Sequence, residues 1–158
     1  MNPCFAAEQT LGKLAKWLRL LGFDTLYEPE ITVERFIEML ENDRIALTRA
    51  QQTKKQLVSR KHIFIESDHL EKQLNQVVRE LGLTFADTRP FSRCLQCNTM
   101  IVAAEKDSVW GRVPDYIFET HNHFQQCPQC NRIYWPGSHT QRSLEKIRSL
   151  FDYNLSQK

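Results

Sequence analysis

Four of the five cysteines fall in two identical spacings, Cys94-Leu95-Gln96-Cys97 and Cys127-Pro128-Gln129-Cys130. Each CxxC can present two thiolates from one tight turn, and two such turns complete the tetrahedral sulfur cage that Zn²⁺ accepts. Asn98 and Asn131 follow the two pairs, and asparagine tolerates the left-handed backbone that such a knuckle needs. The 29 residues between the pairs (98 to 126) exceed a compact finger but suit a zinc ribbon. Two redox-active CxxC sites, or plain buried thiols, are the competing readings. Four thiolates leave no open coordination position. A zinc held by Cys94, Cys97, Cys127 and Cys130 is therefore structural rather than catalytic. Cys4 stands apart and reads as a small buried hydrophobe. His121, His123 and His139 flank the second pair and read as surface or RNA-facing groups. Trp110, Phe118, Phe124, Tyr134 and Trp135 are expected to form the ribbon's small core, with one or two left to stack on bases.

The carboxylates offer a second chemistry. Glu8, Asp68 and Asp24 lie beside short apolar segments that read as strands. Oxygen ligands gathered there would suit Mg²⁺ or Mn²⁺, and such ions position a water for attack on a phosphodiester. Singly, each carboxylate also reads as a helix N-terminal charge or a solvated side chain. Leu11-Gly12-Lys13-Leu14 is not a P-loop, because the upstream glycine and the following Ser/Thr are missing. Lys13, Lys16, Arg19, Arg49, Lys54, Lys55, Arg60 and Lys61 read either as a phosphate-contacting patch or as solvated helix faces.

These groups depend on the elements that carry them. Phe5-Ala6-Ala7, Thr25-Leu26-Tyr27, Ile45-Ala46-Leu47 and His62-Ile63-Phe64-Ile65 read as four strands. Leu11, Leu14, Leu18 and Leu21 recur at helical spacing, and Gly22 sits at the C-cap. Val33, Phe36, Ile37 and Leu40 mark a second helix with Thr32 as N-cap. Residues 50–60 read as a polar helix. Leu70, Leu74, Val77, Val78 and Leu81 mark a fourth, capped by Ser67 and ended by Gly82. Strand–helix repeated four times predicts an α/β fold with a parallel sheet flanked by helices. Right-handed crossovers put the strand C-termini along one edge, where ligands bind in such sheets. The pattern breaks at Asp87-Thr88-Arg89-Pro90. Residues 1–90 therefore read as the first domain, 91–139 as the ribbon, and 140–158 as a C-terminal helix and tail carrying Leu144, Ile147, Leu150 and Phe151.

Composition bounds the partners. The chain has 158 residues and 41% hydrophobic content, enough to support a folded core. With 21 Lys+Arg against 19 Asp+Glu, bulk charge does not drive nucleic-acid binding. Residues 1–90 hold 13 basic and 13 acidic side chains, and 91–158 hold 8 and 6. Four thiolates and one Zn²⁺ would cancel the remaining excess. Any RNA contact must then come from local patches. The opening residues lack the basic and apolar regions of a secretory signal, and no window approaches a membrane span. A cytoplasmic location with reduced thiols is the expectation.

Several longer stretches resemble the Mut-seven-C RNase family. Leu11-Gly12-Lys13-Leu14-Ala15-Lys16-Trp17-Leu18-Arg19-Leu20-Leu21-Gly22-Phe23-Asp24-Thr25 is similar to the family's opening signature, and Leu47-Thr48-Arg49 to its third-strand motif. Arg93-Cys94-Leu95-Gln96-Cys97-Asn98 and Arg132-Ile133-Tyr134-Trp135-Pro136-Gly137-Ser138-His139 are similar to its zinc-ribbon signatures. The resemblance spans roughly residues 4 to 142. It implies a PIN-like nuclease domain followed by a ribbon, with metal-dependent RNA cleavage as the activity. Carried onto this chain, Glu8 and Asp68 would hold Mg²⁺ or Mn²⁺, Asp24 would be a ligand or orienter, and Arg49 would contact a phosphate. Two positions depart from the pattern. Glu8 stands where the family has Asp, and Ala50 stands where it has a third-strand Asp. Losing one carboxylate and lengthening another alters a geometry that metal catalysis requires to a fraction of an ångström. Three functions follow: a metal-dependent ribonuclease, an RNA-binding protein that has lost catalysis, or a module whose ribbon docks a protein partner.

Overall fold

In the computed structural model, which describes residues 2–41 and 43–157, four short strands form one parallel sheet. They are β1 (Phe5–Ala7), β2 (Thr25–Tyr27), β3 (Ile45–Thr48) and β4 (His62–Phe64). Their order is β2-β1-β3-β4, with Phe5 level with both Thr25 and Ile45. Residues 1 and 158, the outer limits of the predicted domains, lie outside the described residues.

Strand alternation sorts the apolar side chains between two layers. Phe5, Ala7, Leu47 and Ile63 point into the larger core, while Ala6 and Ala46 point into the smaller one. The larger core is closed by α1 (Gly12–Leu20), α4 (Leu70–Leu81) and α6 (Ser138–Leu155), through Leu14, Leu18, Leu74, Val77, Ile147 and Phe151. The smaller core is closed by α2 (Val33–Glu38), through Phe36 and the following Leu40, and by Leu57 just past α3 (Gln51–Gln56). Thr32 accepts a hydrogen bond from Arg35 N and caps α2 as its sequence predicts. Gly22 (φ +94°) and Gly82 (φ +61°) end α1 and α4 in the left-handed region. Ser67 is not the cap of α4. Its hydroxyl accepts from His69 N, and the helix starts only at Leu70.

The ribbon is a three-stranded antiparallel sheet of β5 (Val102–Ala104), β6 (Phe124–Gln126) and β7 (Ile133–Tyr134). Its core is small: Val109, Val113, Ile117 and Phe124. A short helix, α5 (Asp115–Thr120), contributes Ile117 to that core and has no signature in the sequence pattern. Trp110 does not belong to the core. It is 72% exposed and meets Phe118 edge-on. After the ribbon the chain returns along α6, whose Asn154 bonds to Asn75 of α4. No helix among the described residues is long and apolar enough to cross a membrane.

Candidate functional site

The two knuckles are built alike. Asn98 and Asn131 take φ of +66° and +62°. Each donates its N–H back to the carbonyl of the first cysteine of its pair, Cys94 or Cys127, at 2.9 Å. The backbone N–H of Cys97 points at Cys94 Sγ (3.4 Å) and that of Cys130 at Cys127 Sγ (3.5 Å). All four Sγ atoms lie within 4.8 Å of one another. A tetrahedral zinc with Zn–S of about 2.3 Å requires sulfur–sulfur edges of about 3.8 Å. Cys94 and Cys130 are 3.8 Å apart. The donor set therefore fits Zn²⁺ in both type and spacing.

Ionisation is already uneven within the cage. Burial opposes a thiolate at Cys94. The Tyr134 hydroxyl (3.1 Å) and the N–H groups of Cys97 and Gln96 outweigh it and bring the thiol down to about 6. Burial and the neighbouring sulfurs push Cys97 up to about 12. A divalent cation removes this conflict by displacing the protons of all four. Tyr134, in the ribbon signature, is a supporting residue that the cysteine spacing alone does not reveal. Its oxygen also accepts from Leu95 N at 3.2 Å.

Arg19 is the cation facing this cage and is not part of a surface basic patch. It is buried, and no carboxylate among the described residues pairs with it. Its Nε donates to Thr25 O (2.9 Å), and its Nη1 to Leu95 O (2.9 Å) and Gln96 O (3.1 Å). Desolvation lowers its pKa, and the nearby Cys94 and Cys97 thiolates oppose that.

Asp24 lies at the other end of the sheet from Glu8. Given the β1–β2 register, four residues separate their levels, roughly 13 Å at about 3.3 Å per residue. Arg44 grips the Asp24 carboxylate with two bonds (2.8 and 3.1 Å), and Asn98 Nδ2 donates a third (2.7 Å). Asp24 therefore anchors the ribbon to the sheet. Burial raises its pKa, but the Arg44 and Asn98 bonds outweigh this and hold it below the usual carboxylate range. A depressed folded-state pKa stabilises the fold above the unfolded value and is lost as the pH falls through the folded one. Melting temperatures between pH 6 and 3 should therefore drop more steeply for the native chain than for Asp24→Asn.

The C-terminal edge carries the remaining candidates. Glu8 follows β1 and is buried. Its Oε2 accepts from Thr48 Oγ1 at 2.6 Å, and its Oε1 from Arg49 N (2.8 Å) and Thr10 Oγ1 (3.1 Å). Glu8 thus ties the ends of β1 and β3 together, and Thr48 and Thr10 are partners that strand-end reasoning missed. Arg49 contributes its backbone N–H there, while its side chain is exposed. Glu8 and Ala50 line one pocket of about 150 Å³. Asp68 lines an adjoining pocket of about 550 Å³ with Lys13 and Tyr27, and the two pockets share Gln9 and Thr10. The Asp68 carboxylate is 72% exposed and lies 3.6 Å from His69. Among the described residues, only the four cysteines bring three or more metal-ligating groups that close together.

The class of protein is an α/β domain with an all-parallel sheet, two adjoining pockets at its strand C-termini and a four-cysteine ribbon. The chain belongs to the Mut7-C RNAse domain family, whose sequence model matches residues 3–147. No curated protein and no solved structure shows a significant match to it.

Proposed function

We propose that this member of a ribonuclease family binds RNA along the C-terminal edge of its parallel sheet without hydrolysing it. The carrying observation is the pocket holding Glu8 and Ala50. Its one carboxylate already accepts three protein hydrogen bonds, and the third-strand position offers only a methyl group. Mg²⁺ keeps several waters and is usually held through one or two carboxylates in near-octahedral array. Glu8 has three of its lone-pair directions taken by protein donors, which weakens it as such a ligand, and Asp24 is committed to Arg44. Exposed Lys13, Arg49 and Lys54 supply cations for phosphates around the same edge.

Fluorescence anisotropy with single-stranded RNA tests the binding. Each neutralised phosphate adds about −0.7 to the slope of log affinity against log salt, so three contacts give a slope of about −2. No binding at low salt would remove the proposal. Cleavage assays with Mg²⁺ and Mn²⁺ test the second half, and none is expected. The second reading is a metal-dependent ribonuclease using Glu8 and Asp68, which line adjoining pockets around Gln9 and Thr10. Cleavage by the native chain that Glu8→Gln and Asp68→Asn abolish would establish that reading instead.

Ala50 also occupies the N-cap of α3, which has no side-chain cap. Ala50→Asp supplies both a cap and the absent carboxylate. The cap should raise stability by about 1 kcal/mol, or roughly 2–4 °C in melting temperature. Mn²⁺-dependent cleavage by Ala50→Asp, absent from the native chain, would identify the lost carboxylate as the reason for inactivity.

A further inference from the structure

β2 is an outer strand of the parallel sheet, and an open strand edge exposes unpaired backbone groups. In the ladder with β1, Phe5 N bonds to Asp24 O, so the N–H and C=O of Thr25 face away from β1. Thr25 is nevertheless fully buried. Its N–H donates to Asn98 Oδ1 at 3.0 Å, and its carbonyl accepts from Arg19 Nε at 2.9 Å. The same Arg19 holds the carbonyls of Leu95 and Gln96, and Asn98 Nδ2 holds Asp24. Arg93 adds bonds to Gly22 O and Asn98 O. Both residues that cover Thr25 are thus tied to one short segment, the first metal knuckle. Asn98 reaches Thr25 from the left-handed conformation that closes that knuckle.

We propose that the first knuckle is a metal-dependent clamp on the outer edge of the parallel sheet, covering β2 when the four-cysteine cage is loaded and releasing it when the metal is removed. The consequence reaches the RNA-facing edge. β2 is only three residues long, and its last residue, Tyr27, lines the larger pocket and donates its hydroxyl to Gln9 O. Gly12 leaves room for that ring, since a Cβ there would lie 2.6 Å from the Tyr27 oxygen. Metal occupancy in the ribbon thereby bears on the far end of β2. The clamp itself rests only on the contacts around Thr25 and stands whether or not RNA binds.

Amide hydrogen exchange on the zinc-loaded chain of 158 residues tests it, with Thr25 as reporter. Ala46 of β3 is the internal reference, since its N–H bonds to Lys61 O inside the sheet. Stripping zinc with a chelator should speed exchange at Thr25 at least tenfold while Ala46 stays protected. Asn98→Gly keeps every cysteine and suits the left-handed backbone, but removes the side chain that covers Thr25. It should hold one zinc per chain and still lose Thr25 protection by a similar factor. Unchanged Thr25 exchange in either sample would overturn the clamp. Equal loss at Ala46 on chelation would also overturn it, by showing that the metal supports the whole sheet. Loss of zinc from Asn98→Gly would assign Asn98 to the knuckle itself and overturn it too.

Discussion

Replacing both Cys94 and Cys127 with serine should abolish zinc binding and unfold the ribbon, leaving the parallel sheet assembled. The two residues are the buried members of the cage, one from each knuckle. Structural zinc contributes roughly 10–16 kcal/mol in small finger modules. The ribbon has little to set against that loss, since its core holds four buried apolar side chains. Fully burying such a side chain is worth about 1.5–3 kcal/mol, while ordering the backbone costs about 1–2 kcal/mol per residue. Elemental analysis should fall from about one zinc per chain to none. Amide resonances of β5, β6 and β7 should collapse to random-coil positions. Those of β1, β3 and β4 should persist, because their core is filled from α1, α4 and α6. A double variant that keeps a folded ribbon would refute a structural metal site.

Arg19→Met should be the most destabilising single change outside the cage. The side chain is 5% exposed and makes three hydrogen bonds to carbonyls, two of them on the first knuckle. Methionine matches its stem but leaves the buried Thr25 carbonyl, and the part-buried Leu95 and Gln96 carbonyls, without that donor. The cage also loses its facing cation. A hydrogen bond from a charged donor to a buried carbonyl is worth about 1.5–3 kcal/mol, and two weaker ones to part-buried carbonyls bring the loss to about 3–5 kcal/mol. For a chain of this length that corresponds to a fall of roughly 6–20 °C in melting temperature. Arg19→Lys should recover little, because one ammonium cannot span the positions that Nε and Nη1 reach together. Thermal melts at neutral pH measure both variants, and a native-like melt for Arg19→Met would contradict the role assigned here.

Much of this was legible in the residues themselves. The four strands, the helices between them and the glycine stops arise from local pattern: apolar spacing of two or 3.6, and glycine where φ turns positive at the ends of α1 and α4. The cysteine cage was legible for the same reason, because each CxxC knuckle is closed by bonds within five residues. α5 was not legible. One helical turn buries only Ile117, too few positions to display a period. The return of α6 onto the first core was half legible. Leu144, Ile147, Leu150 and Phe151 mark an apolar face, but nothing local says which surface will cover it.

The roles of the charged residues were decided by tertiary structure. Asp24, beside a strand in the sequence, belongs to the N-terminal edge and to Arg44, while Glu8 stands at the opposite edge. Arg19 sits among lysines in an amphipathic helix, yet its partners are 76 and 77 positions away. Charged side chains take their function from whatever long-range neighbour satisfies them, and a burial penalty removes every arrangement that leaves them unpaired. Sequence by itself determined the four parallel strands, the helices between them and the two knuckles, whose apolar spacing and closing turns are local. Only the folded chain decided which carboxylate stands at the C-terminal edge of the sheet and which one fastens the ribbon to it.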